Sequence, residues 1–126
     1  LYASSWSLLV DVATASVEWL REHLGVTTAI CSASELGELR EDPTSRLVDI
    51  CRALDADTYL AGAGGRAYMD LEHFERAGIR VIFQHYDHPD YPQLYGEFCA
   101  YLSALDLVLN CGSEALAILR SGRRNG

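Results

Sequence analysis

The sequence predicts an α/β protein: a three-layer, Rossmann-like arrangement with a short, mainly parallel sheet flanked by helices, followed by a C-terminal helical segment. Two observations carry this. Helical apolar spacing alternates with short β-branched runs from Leu9 to Phe83, the pattern of strands joined by crossover helices. Beyond about residue 100 only helical patterns remain. At 126 residues the chain is read as a single α/β domain over 1–126, large enough to bury about two-thirds of its unfolded surface.

Each element follows from local signals. Leu9, Ala13, Val17, Leu20 and Leu24 keep helical spacing, and Gly25 stops the helix. The β-branched run Val26 to Cys31 predicts a strand. Asp42 before Pro43 marks an N-cap with proline at the first helical position, and the helix buries Leu47, Ile50, Cys51 and Leu54. Asp57 to Ala61 forms a second strand. Asp70 caps a short helix closed by Gly78, and Ile79 to His85 is the third and clearest strand. Ser103 and Gly112 bound one helix, and a last helix runs from Ser113 to Gly122.

Composition narrows function. Hydrophobic residues make up 49%, net charge is −8, and all ten basic residues are arginine. Without lysine there is no Schiff-base or Walker-type lysine. An acidic balance repels phosphate backbones, so nucleic acid is excluded as a partner, and the basic tail "RSGRRNG" reads as a solvated end. No stretch reaches the ~20 apolar residues of a membrane span, and no leader pattern is visible. Cys31, Cys51, Cys99 and Cys111 lack close pairing, which predicts free thiols and a cytoplasmic setting.

Three segments carry candidate chemistry. Gly62, Gly64 and Gly65 with Arg66 and Tyr68 follow the second strand. The glycines touch the G-x-G-x-x-G/A pattern, but four residues separate the last one from a helix of only two turns, which argues against a dinucleotide. What stays open is a turn with positive φ or a loop in which backbone N–H groups and Arg66 hold an anion. "QHYDHPDYPQ" lies beyond the strongest strand, at the edge where open parallel sheets bind ligands. His88, His85 and Asp87 are its acid–base candidates, and Gln84, Tyr91 and Gln93 its binding candidates. Its H-x-D-H spacing fits no standard metal frame, and a proline-pinned structural loop is the alternative. Asp106 and Asn110 share a helix face, where Asp106 is read as structural support for that loop. No metal, nucleotide or other cofactor is called for. If the last two strands are parallel, the two loops leave one sheet edge, and Arg66 and His88 are expected to face one ligand.

The ordered motifs in "YLAGAGGRAYMDLEHFERAGIRVIFQHYDHPDYPQLYGEF" and "LSALDLVLNCG" resemble the WbqC-like proteins. The family patterns are Y-L-S-G-x-G-G-x-x-Y-L-D, G-I-x-V, F-Q-x-Y-x-H-P-x-Y-P-Q and L-S-x-L-D-L-L-F-N-x-G. They fall on Tyr59 to Asp70, Gly78 to Val81, Phe83 to Gln93 and Leu102 to Gly112, with Ala61 and Leu109 among the departures. The family's N-terminal half, with its histidine-glutamine-proline motif, has no counterpart here, so the chain reads as the C-terminal part of a longer protein. The resemblance implies a bacterial, cytoplasmic enzyme in surface-polysaccharide (O-antigen) or amino-sugar and small-metabolite modification, with transferase-like group transfer and a sugar-linked or other small-molecule substrate. The alternative is a non-enzymatic ligand-binding or assembly module of the same pathway. Homo-oligomerisation is open in both cases.

Overall fold

The computed structural model describes residues 3–124. Its elements are α1 (Leu9–His23), α2 (Pro43–Ala53), β1 (Thr58–Ala61), α3 (Leu71–Arg76), β2 (Arg80–Phe83), α4 (Ala104–Cys111) and α5 (Ala115–Ser121). Short 3₁₀ turns occupy Ala33–Glu35, Ala63–Ala67 and Gly112–Glu114. The backbone gathers into two compact units, one of residues 30–85 and one of residues 3–29 with 86–124.

The first unit holds the strands. β1 and β2 pair in parallel, Thr58 opposite Arg80 and Ala61 opposite Phe83. Because the pairing is parallel, Gly62 and Gln84 both leave the same edge, and the Gln84 N–H extends the ladder to the Ala61 carbonyl at 2.8 Å. The core beneath comprises Val48, Cys51, Ala61, Met69, Phe74 and Ile79. Caps fix the helices around it. The Asp42 carboxylate accepts from the Ser45 N–H at 2.8 Å, and Asp70 accepts from the His73 N–H at 3.2 Å. At the end of α3, Gly78 takes φ +74°, so its N–H reaches Glu75 O and that of Ile79 reaches Phe74 O. This doubled closure turns the chain directly into β2.

The second unit is helical. Leu24, Tyr91, Leu107, Val108 and Ala115 form its core, with Trp19, Leu20, Ile118 and Leu119 packed on them. Ser103 caps α4 by accepting from the Leu105 N–H at 3.2 Å. The class predicted from sequence is therefore present as a short parallel sheet with helices and a C-terminal helical segment.

The sheet has two strands among the described residues, not three. Val26 to Cys31 has no regular structure, and Val26 and Ile30 are exposed. β-branched residues favour a strand only where a ladder partner and a packed face exist, and this segment has neither. Arg21 holds it instead, its guanidinium donating to Thr28 O at 2.6 Å. Among the described residues of the C-terminal tail all but Gly122 are exposed, and the backbone is tied down. Arg123 bridges Tyr86, Asp87 N–H donates to Gly122 O at 2.9 Å, and Arg124 pairs with the Asp87 carboxylate.

Candidate functional site

In the strand unit, the glycine segment is a 3₁₀ turn. None of Gly62, Gly64 and Gly65 has positive φ, so left-handed backbone is not why glycine stands there. Gly65 is needed for closeness: a Cβ there would lie 2.9 Å from Met69 Sδ, whereas Gly62 and Gly64 face open space. The Gly65 N–H is used within the turn, on Gly62 O at 2.9 Å. Arg66 lays its guanidinium carbon 4.1 Å from the centre of the Phe83 ring, a cation–π contact that holds an exposed positive charge over β2. Tyr68, Gln84 and His85 are exposed. Burial pushes the phenol of neighbouring Tyr59 up.

In the helical unit, the proline loop is tied down by side chains (Tyr91, Gln93, Asp106 and Asn110). The Tyr91 hydroxyl donates to Asp106 Oδ2 at 2.8 Å, and Gln93 Nε2 donates to the same oxygen at 3.3 Å. Asn110 Nδ2 donates to Asp106 Oδ1 at 3.1 Å, while its own Oδ1 accepts from the Leu94 N–H at 3.2 Å. Gln93 also clasps the backbone of Cys99, accepting from its N–H at 2.9 Å and donating to its carbonyl at 3.0 Å. Burial pushes the Tyr91 phenol up, and the Asp106 charge adds to this against the effect of Gln93. Asp106 thereby fastens residues 91–99 to α4, with its oxygens committed to protein donors.

His88 stands apart from that network. Its ring is surrounded by Tyr101, Phe98 and Tyr91, with centroids at 4.9, 6.0 and 6.1 Å. Nε2 accepts from the Tyr101 N–H at 3.2 Å, so the neutral ring carries its proton on Nδ1. That Nδ1 is buried and has no hydrogen-bond partner among the described residues. His88 lines a cleft of about 220 Å³ together with Tyr86, Tyr91, Ser103 and apolar residues of the loop, α4 and α5. The ring therefore offers a proton rather than a lone pair. Asp87 does not join it: its carboxylate is engaged by Arg124.

The predicted residues thus fall into two groups. Gly65, Arg66 and Gln84 belong to the strand unit, and His88, Tyr91, Gln93, Asp106 and Asn110 to the helical unit. Sequence inspection missed Tyr86, Phe98, Tyr101 and Ser103 as neighbours of His88. The available signal was "EFCAYLS", two aromatics in a polar connection just before a helix cap. Among the described residues no group of three His, Cys, Asp or Glu is placed to hold a metal ion.

The parallel strand pair with its helices makes this an α/β protein, and the helical unit carries an aromatic, histidine-bearing cleft. The family model for "WbqC-like protein family" matches residues 1–118, and the chain belongs to that family. The match takes in α1 and α2 as well as the motifs between Asp57 and Gly112. Over 103 residues the chain is 37% identical to "Uncharacterized protein Rv1507c" of Mycobacterium tuberculosis (strain ATCC 25618 / H37Rv), covering 81% of this chain and 44% of that one. The chain thus spans less than half the length of this relative. No solved structure matches it.

Proposed function

We propose that the protein is a cytoplasmic bacterial enzyme that modifies a small, sugar-linked metabolite by group transfer, with His88 as a hydrogen-bond donor to the charge that develops. The observation that carries this is the buried, unpartnered Nδ1 of His88 in a side chain that lines the cleft. A buried donor without an acceptor costs about 1–3 kcal/mol, and such groups concentrate where a ligand completes the bond. Membership of the WbqC-like family supports the substrate class. In this scheme the Nδ1–H of the neutral ring stabilises negative charge growing on an oxygen of the transferred group and keeps its proton throughout. Arg66, in the strand unit, offers its stacked guanidinium to an anion as a separate contact. No helix among the described residues is long and apolar enough to cross a membrane.

The test is a panel of nucleotide-linked amino sugars with acyl thioester donors, followed by product mass. Turnover that falls about 10²–10³-fold in His88→Phe, which keeps a ring but has no donor, supports the scheme. Unchanged turnover in that variant refutes it.

A second reading, a binding or assembly module, is favoured by one observation. Leu94, Tyr95, Tyr101 and Leu109 are 80, 89, 84 and 69% exposed, more apolar surface than a catalytic loop needs.

A further inference from the structure

The loop between the proline motif and α4 holds apolar side chains out in solvent, and its backbone is tied at both ends. Gln93 clasps the Cys99 backbone, accepting from its N–H at 2.9 Å and donating to its carbonyl at 3.0 Å. The Leu94 N–H donates to Asn110 Oδ1 at 3.2 Å. Between these ties Gly96 takes φ +72°, a left-handed turn that glycine adopts without strain. A segment closed in this way presents Leu94 and Tyr95 outward. Together with Leu102 and Leu109 they line one groove of about 330 Å³ in the helical unit, and all four are exposed. Exposed apolar side chains gathered on one groove mark a surface that something covers.

The polar lining selects among covers. Glu97 and Asp106 contribute carboxylates, and no Arg or His side chain lines the groove. Asp106 is committed to Tyr91, Gln93 and Asn110. Glu97 is exposed and has no hydrogen-bond or ion-pair partner among the described residues. The chain carries a net charge of −8, so a second copy would bring more negative charge to this face. A basic partner is favoured on both counts. Arginine suits it better than lysine, because a planar guanidinium stacks on aromatic rings and pairs with carboxylates, and Tyr95 and Glu97 stand on either side of Gly96. A small amine would leave the leucines wet, since small-molecule pockets enclose most of their ligand and these apolar walls stand open to water.

We infer that this groove is a docking surface for a segment of a partner protein that carries leucine-like side chains next to arginine. The inference rests on the binding-module reading and adds the chemistry of the partner. The apolar side chains pack among Leu94, Leu102 and Leu109, and the arginine takes the edge marked by Tyr95 and Glu97, where rim charge sets partner choice and rate of approach.

The experiment is a titration of the ¹⁵N-labelled chain with acetylated, amidated peptides of the sequences Leu-Arg-Leu-Arg-Leu, Leu-Glu-Leu-Glu-Leu and Gly-Arg-Gly-Arg-Gly. The leucine–arginine peptide should move the backbone amides of Leu94, Tyr95, Glu97 and Leu109 saturably and leave those of β1 still. The other two should bind at least about tenfold more weakly, one because it repels Glu97 and the other because it buries no leucine. Leu109→Ser, at an exposed helix position, should weaken the leucine–arginine peptide by about tenfold, and Glu97→Gln by about threefold. Equal affinity for the leucine–glutamate peptide overturns the inference while keeping a binding module. Equal affinity for the glycine–arginine peptide overturns it by reducing the effect to net charge. Pentylammonium binding as tightly as the leucine–arginine peptide would make the groove a small-molecule site. A dimer in sedimentation that Leu109→Ser dissolves would assign it to a second copy, and either result overturns the inference, as does the absence of saturable binding. Selective leucine–arginine binding alongside turnover in the sugar panel would retain the groove and discard the reading of the chain as a binding module alone.

Discussion

Replacing Asp106 with alanine removes one carboxylate and takes an acceptor from three donors, yet the three do not suffer equally. Gln93 Nε2 keeps the Cys99 carbonyl at 3.0 Å, and Asn110 Nδ2 keeps the backbone carbonyl of residue 106 at 2.9 Å. The Tyr91 hydroxyl keeps nothing, and Tyr91 is only 7% exposed. The cost is therefore close to one charge-assisted hydrogen bond with its donor left buried, about 2–3 kcal/mol. Tyr91→Phe removes the donor while Asp106 retains Gln93 and Asn110, and should cost about 1 kcal/mol. Because both variants delete the same bond, the double variant should be more stable than additivity allows, by about 1–2 kcal/mol. Urea unfolding followed by intrinsic fluorescence measures all four species, with an unchanged denaturant slope as the control for two-state behaviour. Coupling within about 0.3 kcal/mol of zero would refute the assignment of Asp106 as the fastening of the proline loop.

Three further outcomes are expected. Gly122→Ala drives a methyl into the Asp87 carbonyl and should lower stability by about 1–3 kcal/mol; Gly65→Ala meets the movable Met69 thioether at 2.9 Å and should cost less than Gly122→Ala, whereas Gly64→Ala, facing open space, should be neutral or better by thermal melting. The paired hydrogen bonds from Arg40, at 2.6 and 2.8 Å, hold the Asp49 carboxyl down from 3.8 to about 2. A depressed folded value stabilises above the unfolded one, so this contribution should vanish between about pH 4 and pH 2, and Asp49→Asn should flatten the urea midpoint over that window. A wild-type slope shared by the variant would contradict it. With a thiol reagent under native conditions, exposed Cys31 and Cys99 should react before buried Cys51 and half-buried Cys111, whose thiols burial pushes up; prompt reaction of Cys51 would contradict the core.

What was legible in the sequence was what nearest neighbours decide. Asp42, Asp70 and Ser103 cap their helices because each needs only an N–H two or three residues on. Gly25, Gly78 and Gly112 take positive φ at helix ends for equally local reasons. The strands at Thr58–Ala61 and Arg80–Phe83 were legible because apolar runs between turn signals found each other as partners. Val26 to Cys31 has the same local character and no partner, and a sequence does not display the absence of a ladder. The environment of His88 was opaque for a related reason. Its neighbours Phe98 and Tyr101 come from ten and thirteen residues away, through a loop whose path is set by Gln93 clasping Cys99. The glycine segment misled because three glycines invite positive φ, while Gly65 is there to clear Met69.

His88 holds its proton on a buried Nδ1, and the tautomer of the ring is measurable. A long-range ¹H–¹⁵N spectrum at about pH 8.5, above the ordinary histidine range, distinguishes the two nitrogens. Nδ1 should be protonated, and Nε2 should be unprotonated and accept from the Tyr101 N–H. A ring carrying its proton on Nε2 would remove both the Tyr101 hydrogen bond and the unpaired donor, and with them the role proposed for His88.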